Sequence, residues 1–236
     1  MKTAPLPLIA TLALGFTASV NATPISGDPM MGVVGTGFGD TNTGLIESQQ
    51  GTLNLLTDSN LSTSNDTWNR GGSTNFDFVG LRFTTPEDGV NSIQVNVRVF
   101  GDGGWWVSNT PKVQVTTNAD FASYGIPGFH GGPPDANNDG IWSDVAFTSD
   151  YPLDATDGSP GSVTDGGLYT FSLNTPVDGV YGIRVIGDAG GFAGTDSDGD
   201  FIGAYEVMAS AVPEPSSVAL ILLGGLALVR RRFTRG

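Results

Sequence analysis

The sequence predicts an all-β protein built as an antiparallel β-sandwich, and three observations support this fold class. First, residues 92–100 alternate strictly between apolar and polar side chains, which is typical of a strand with one buried face. The apolar face of that strand would carry Ile93, Val95, Val97 and Val99. Second, glycine accounts for 35 of 236 residues, about twice its usual share, which favours many turns. Third, the central chain lacks the 3.6-residue periodicity of amphipathic helices.

The remaining predicted strands are short apolar runs that are separated by Gly, Pro, Asn and Asp. A turn at residues 86–89 separates the run at 76–83 from the strand at 92–100. Further strands are expected at 51–56, 112–116, 141–147, 168–173, 181–186 and 201–208. About seven to nine short strands with long polar loops predict a sandwich, because parallel βαβ units would need helices. No internal repeat of fixed period stands out.

The charge of the chain is strongly acidic and unevenly distributed. Ten Lys and Arg residues stand against 24 Asp and Glu residues, which gives a net charge of −14. Residues 23–211 contain five of the basic residues and every acid except Glu214, so their net charge is 5 − 23 = −18. Such a surface repels nucleic acid and anionic lipid, and it favours cations, above all Ca²⁺. No nucleic-acid partner is therefore expected.

The residue types needed for several kinds of catalysis are scarce. The chain has no cysteine, which excludes disulfides, thiol nucleophiles and Cys-based zinc sites. His130 is the single histidine, and no G-x-S-x-G motif accompanies it. We therefore assign no catalytic residue and expect a protein that is not an enzyme. Hydrolysis of polysaccharide by paired carboxylates remains an alternative, because the central region is rich in acids.

The N-terminal residues have the three-part layout of a secretory signal peptide. Lys2 gives a short positive region, residues 6–18 are apolar, and Val20 and Ala22 are small residues before a cleavage point. We therefore expect residues 1–22 to be a signal peptide and residues 23–211 to form the exported β domain.

The C-terminal residues 212–236 combine a proline motif, an apolar segment and an arginine cluster. The apolar residues 216–229 would span about 21 Å as a helix, somewhat less than a hydrocarbon core. Arg230, Arg231 and Arg232 follow, and they would hold this end on the cytoplasmic side while their long side chains relieve part of the mismatch. The sequence predicts a short C-terminal transmembrane helix.

The order of these parts resembles the PEP-CTERM sorting signal. The motif consists of Val212, Pro213, Glu214 and Pro215, and the apolar segment and the arginine cluster follow it. The resemblance implies that an exosortase processes the tail near the proline motif. It also implies delivery to the cell envelope, the outer surface or the extracellular matrix. An ordinary C-terminal membrane anchor is the alternative.

The central domain has a looser resemblance to a second family. The segments VGLRFTTP, VNSIQVNVRVF and VYGIRVIG, followed by a Gly-rich turn and a last strand, are similar to discoidin-type, galactose-binding-like jelly rolls. The resemblance covers roughly residues 45–209. It implies a jelly-roll sandwich that binds a glycan or another cell-surface ligand, such as extracellular polysaccharide, through loops at one end.

Two Asp-rich segments are candidate Ca²⁺ sites. Residues 135–140 match the first six positions of a calcium-binding loop, with ligands at Asp135, Asn137 and Asp139. The twelfth position is Ala146, so this is not an EF-hand. The second candidate consists of acids at alternate positions, Asp196, Asp198 and Asp200. The alternative is that Asp and Gly form solvated turns in both segments.

Trp105 and Trp106 are the candidate ligand-binding residues. They follow a Gly-rich turn, and an exposed indole ring can stack on the apolar face of a sugar. The alternative is that one ring belongs to the core and the other covers the end of the sandwich.

Together these features predict an exported, non-catalytic β-sandwich that binds glycan or serves in the extracellular matrix. A surface structural or adhesive protein with a protein partner is the second hypothesis. An enzyme that acts on polysaccharide is the third.

Overall fold

A computed structural model describes the folded part of the chain. The described residues are 22–34, 53–67, 76–101, 103–123, 141–156, 158–190 and 201–212. The predicted signal peptide, except for Ala22, and the tail from residue 213 lie outside these ranges. Within the described ranges, no helix has the length and apolar character needed to cross a membrane.

The described residues form two β-sheets with six strands each. The first sheet consists of β1 (Thr23–Ile25), β3 (Asn65–Asp66), β5 (Val90–Arg98), β9 (Phe147–Ser149), β10 (Gly167–Val177) and β12 (Gly203–Ala211). The second consists of β2 (Asp28–Val34), β4 (Phe76–Glu87), β6 (Trp105–Trp106), β7 (Lys112–Thr116), β8 (Ser143–Val145) and β11 (Val180–Gly190). Two 3-10 helices cover Leu53–Thr57 and Ala119–Ser123.

The strand order confirms the predicted all-β antiparallel sandwich. The first sheet runs β1-β12-β5-β10-β9 with β3 beside β12, and the second runs β2-β4-β11-β7-β8 with β6 beside β11. Every pairing between these named strands is antiparallel. In β5, Ile93, Val95 and Val97 are buried in the core between the sheets as predicted. Val99 follows the strand and is half-buried, and Asn96 on the opposite face, which was predicted to be exposed, is buried as well.

Two segments differ from the predicted strands. Of the run predicted at 51–56, the described residues belong to the 3-10 helix Leu53–Thr57, which packs against β12 and β2 and places Leu56 in the core. The run predicted at 141–147 divides into β8 and β9, which lie in different sheets. A single apolar run does not reveal such a change of sheet, because its hydrophobic pattern does not differ between the part that joins one sheet and the part that joins the other.

Two similar turns carry the chain from one sheet to the other. The β4–β5 turn reads TPEDGV over residues 85–90, and the β10–β11 turn reads TPVDGV over residues 175–180. Gly89 N donates to Asp178 Oδ1 at 2.7 Å, and Gly179 N donates to Asp88 Oδ1 at 2.8 Å. Each turn therefore caps the other. The two copies lie 90 residues apart, and the likeness is too short to form an internal repeat of fixed period because it is limited to the turn.

A small second core lies on the outer face of the second sheet. Its buried members come from β2, β4, β11, the second 3-10 helix and the segment before β8: Met30, Phe78, Ile186, Phe121 and Trp142. Arg184 is 1% exposed in the same region. Its Nε donates to Gln114 Oε1 at 2.8 Å, and its guanidinium lies 4.2 Å from the Trp142 ring centroid. Apolar and cation–π contacts thus cover this face.

Candidate functional site

The structure corrects the prediction that the tryptophan pair binds a ligand. Trp105 and Trp106 are each 1% exposed and belong to the core between the sheets. Trp106 Nε1 donates to the backbone oxygen of Asp77 at 3.0 Å. The Trp105 ring packs so closely on Gly190 that a Cβ there would lie 2.3 Å from it. Neither ring offers a face to a sugar in solution, because β6 runs beside β11 with both side chains covered.

The predicted calcium residues lie outside the described part of the chain. This applies to Asp135, Asn137 and Asp139 and equally to Asp196, Asp198 and Asp200. Within the described ranges, no three His, Asp or Glu side chains lie together in a group that could hold a metal. Any metal site built from the described residues must therefore combine fewer acids with other oxygen ligands.

A short loop after the first 3-10 helix provides such an arrangement. Asp58 Oδ1 accepts the Asn60 N–H at 2.8 Å, and Asp58 Oδ2 accepts the Thr63 hydroxyl at 3.0 Å. Thr63 N donates to the Asn60 carbonyl at 3.1 Å. Ser59 has a φ of 59°, in the left-handed region that side chains other than glycine rarely adopt. The loop is thus tightly wound around the Asp58 carboxylate.

Glu206 on β12 faces this loop. Its side chain is 6% exposed, and its Oε1 has no hydrogen-bond partner among the described residues. Burial raises the pKa of Glu206; the Ser59 and Asn60 backbone N–H groups act against this, and the Asp58 charge adds to it. A buried carboxylate beside a second acid is costly unless a cation compensates both. We call Asp58, Ser59, Asn60, Thr63 and Glu206 the Asp58 pocket.

The chemistry of the Asp58 pocket fits a hard divalent cation. Ca²⁺ prefers carboxylate, hydroxyl and backbone carbonyl oxygens, and a bound ion would give the buried Glu206 Oε1 a partner. Asp58 was not among the residues predicted to bind a metal. The signal that could have found it is the spacing of Asp58, Asn60 and Thr63, whose short polar side chains bond to their own loop.

A second polar group lies next to the pocket, at the end of β5. An Arg98 N–H donates to Ser64 Oγ, and the guanidinium lies 4.0 Å from the centroid of the Phe100 ring. Burial raises the pKa of Asp66, and the Arg98 charge acts in the opposite direction. These residues combine a planar donor, an acceptor and an aromatic ring, and all are half-buried.

Tyr205 and Asp165 complete this group on its exposed side. The Tyr205 hydroxyl lies 3.1 Å and 3.3 Å from the two Asp165 carboxylate oxygens, and Asp165 Oδ1 also accepts the Val99 N–H at 2.9 Å. Burial and the Asp165 hydrogen bond raise the pKa of Tyr205, so the phenol is neutral. The Arg98 cluster is defined as Ser64, Asp66, Arg98, Phe100, Asp165 and Tyr205.

The pocket and the cluster share two chain segments. Ser64 follows directly after Thr63 in the loop, and Tyr205 directly precedes Glu206 on β12. The register of β12 against β5 shifts between Ala204 and Glu206, as in a β-bulge. A bulge adds one residue to a strand and re-aims its side chain. The bulge allows two adjacent residues of β12 to belong to different sites, Tyr205 to the Arg98 cluster and Glu206 to the Asp58 pocket.

The tail of the chain matches a known sorting motif. A family model described as the PEP-CTERM protein-sorting motif matches residues 211–232. The resemblance seen in the proline motif, the apolar segment and the arginine cluster is thereby confirmed, and the motif indicates an exported protein of the cell envelope that an exosortase processes. Comparison with curated proteins found no matching relative.

Solved structures with a similar fold include carbohydrate-binding modules and an F5/8 type C domain. The family 32 carbohydrate-binding module of Clostridium perfringens NanJ is 12% identical, with a TM-score of 0.41, covering 78% of this chain and 93% of its own. A structure of the Streptococcus pneumoniae β-galactosidase BgaA is 13% identical, with a TM-score of 0.49 and coverages of 80% and 100%. An F5/8 type C domain from Bacteroides fragilis is 12% identical, with a TM-score of 0.40 and coverages of 82% and 99%.

Proposed function

We propose that this protein is an exported, non-catalytic module that binds extracellular polysaccharide through the Arg98 cluster, with a Ca²⁺ ion in the Asp58 pocket. The observation that carries the proposal is the Arg98 cluster itself. It gathers a guanidinium, two carboxylates, a phenol and an aromatic ring at one end of a rigid sandwich. Sites of this kind on rigid elements hold their geometry without induced ordering.

The groups of the Arg98 cluster suit the surface of a sugar. Vicinal hydroxyls accept from a planar guanidinium and donate to a carboxylate such as Asp165. The C–H face of a sugar ring can cover the Tyr205 ring, which is half-exposed. Neutral polysaccharide suits this site better than a polyanion, because the surrounding domain is strongly acidic.

The proposed Ca²⁺ ion has a structural part in this arrangement. An ion held between Asp58 and Glu206 would fix the loop that carries Ser64 and Asp66 against β12, which carries Tyr205. Binding of a metal to the folded state alone also stabilises the domain. We therefore expect glycan binding to weaken when the ion is removed, even though no ligand group of the cluster is lost.

The sorting tail supports the location. The N-terminal leader and the C-terminal helix are proposed as the two membrane-directed segments, and the sandwich is the part that remains outside. We propose that the module serves in the extracellular matrix after the tail has been processed. The NanJ module is described in complex with galactose, so galactose-containing polymers are a convenient first set of ligands to screen.

Binding of the domain, residues 23–212, to purified neutral polysaccharides tests the proposal. We expect saturable binding by calorimetry with Ca²⁺ present and at least a tenfold loss in Arg98→Gln or Asp165→Asn. Lys112→Gln is the matched control, because Lys112 forms an exposed ion pair with Asp144 on β7 and β8, in the other sheet.

Two other outcomes would favour the alternative functions. A pull-down that captures one protein while every polysaccharide fails would favour the adhesive or structural role. Release of reducing ends from a polymer, lost on Asp165→Asn, would show an enzyme. Binding that Arg98→Gln leaves unchanged would overturn the assignment of the Arg98 cluster.

A further inference from the structure

The first residue of β1 and the last residue of β12 lie side by side at one corner of the sandwich. Thr23 of β1 pairs with Ala211 of β12, and the Thr23 hydroxyl donates to the Ala211 carbonyl at 3.3 Å. Val212, the next residue, donates its N–H to the Gly89 carbonyl at 2.8 Å. The last residue that the structure describes is therefore still bound to the β4–β5 turn. We call the two turns at residues 85–90 and 175–180, with Thr23 and Val212, the exit corner.

Two features hold Val212 firmly at the exit corner. A Cβ on Gly89 would lie 2.1 Å from the Val212 oxygen, so the backbone of Val212 lies directly on this glycine. Gly89 is in turn fixed by Asp178, and Gly179 by Asp88. The two turns form one reciprocally bonded unit, and it fixes the point from which the tail leaves.

The free chain between this point and the apolar segment is short. Pro213, Glu214 and Pro215 separate Val212 from Ser216. Four Cα–Cα steps span at most about 14 Å when fully extended. With the tail in a membrane, the exit corner must lie within that distance of the apolar boundary.

The opposite end of the sandwich lies a full strand length away. β5 begins beside the exit corner at Val90 and ends at Arg98. Nine residues of strand span about 27–30 Å. The Arg98 cluster therefore lies roughly that far from the corner.

We infer that the exit corner is the face that the domain turns toward the lipid headgroups while the tail is inserted, with the Arg98 cluster directed away from the membrane. This inference rests on the proposed insertion of the tail. In this orientation a matrix polymer reaches the binding site while the domain is still anchored. The same orientation places residues 213–215 between the exit corner and the lipid.

Single-cysteine labelling tests the inference, since the chain has no native cysteine. A fluorophore would be attached to Thr85→Cys or Thr175→Cys, two exposed and equivalent positions of the exit corner. Gly101→Cys is the matched control: it follows Arg98 at the far end, and a Cβ there meets nothing within 4 Å. The full-length chain would be reconstituted in vesicles that carry headgroup nitroxide lipid.

We expect the nitroxide to quench the two corner labels at least threefold more than the label at position 101. Equal quenching at all three positions, or stronger quenching at position 101, would overturn the orientation while leaving tail insertion intact. Flotation of the same vesicles separates the two ideas, because a chain that does not float with lipid overturns both the insertion and the orientation.

Discussion

At the scale of single residues, Glu206 differs most from what its position in the sequence suggests. It is one of few acids that the fold buries, and it lies against a loop that contains a second acid. Arg184 is its counterpart among the basic residues, since it is 1% exposed and covered by aromatic rings. Both residues lie on segments that were predicted to be strands. Their burial follows from the segments that fold over the outer faces.

The Glu206→Gln substitution distinguishes a cation ligand from a solvated acid. In chelator we expect the melting temperature to rise by about 1–3 °C, because the variant no longer buries a charge beside Asp58. With millimolar Ca²⁺ we expect the variant to lose the stabilisation that the wild type gains. Scanning calorimetry of the wild type and the variant, with and without Ca²⁺, measures these changes in melting temperature. A variant that responds to Ca²⁺ like the wild type would exclude Glu206 as a ligand.

The raised pKa of Glu206 also predicts a pH dependence with a definite sign. The folded state binds this proton more tightly than the unfolded state, so the contribution to stability is complete below the ordinary value of 4.5 and is lost as pH rises through the folded pKa. In chelator, the free energy of unfolding of the wild type should therefore fall relative to that of Glu206→Gln as the pH rises.

Urea unfolding of wild type and Glu206→Gln across this range measures the difference. Asp154 gives a control of opposite sign, because hydrogen bonds from Ser162 lower its pKa. Its contribution is present above the ordinary value and is lost as pH falls through the folded pKa. A flat difference curve for Glu206→Gln would contradict a buried, ionisable Glu206.

At the scale of structural elements, the two Asp-Gly turns decide how the chain changes sheets. Each turn has its glycine at a φ of 69°, and each aspartate caps the glycine of the other turn. Sequence reasoning predicted the first turn from its Pro, Asp and Gly residues. The bond to a turn 90 residues away could not be predicted, since it depends on the packing of the two sheets.

Alanine substitutions at the two glycines separate backbone strain from a steric clash. Both glycines have the same positive φ, but a Cβ at Gly179 meets nothing within 4 Å, whereas one at Gly89 would lie 2.1 Å from the Val212 oxygen. We expect Gly179→Ala to cost about 1–2 kcal/mol from strain alone. Gly89→Ala should cost more, because it also displaces Val212.

Urea unfolding of the domain, residues 23–212, measures both changes. Gly101→Ala is the control: its Cβ meets nothing within 4 Å, and we expect no more than a small effect. Equal losses for Gly89→Ala and Gly179→Ala would show that Val212 is not held against the corner as the structure indicates.

At the scale of the whole molecule, a large core allows the domain to fold without disulfides. The core extends between the sheets and includes Trp105. In the same core the rings of Trp106, Phe171 and Tyr151 contact one another. Burial of aromatic side chains supplies much of the stability of such a core. Since the sandwich closes over these rings, residues that looked like a binding surface in the sequence stabilise the fold instead.

Calorimetric melting of the domain, residues 23–212, with Ca²⁺ and with chelator tests whether the proposed metal ion stabilises the whole fold. An ion at about 100 times its dissociation constant adds roughly 2.7 kcal/mol when it binds the folded state alone. For a domain of this size we expect the melting temperature to rise by several degrees. No shift in millimolar Ca²⁺ would contradict a metal in the Asp58 pocket.

Patterns in the sequence were sufficient to predict the fold class and the sorting tail. Strict alternation in a strand and an ordered C-terminal motif are local patterns, so they can be seen without knowing what lies nearby. The tertiary structure decided where the candidate sites are. It buried Trp105 and Trp106, and it brought Asp58 to Glu206 and Asp165 to Tyr205. Those pairings join distant parts of the chain, and they arise because the register of β12 and the closure of the two sheets place the residues side by side.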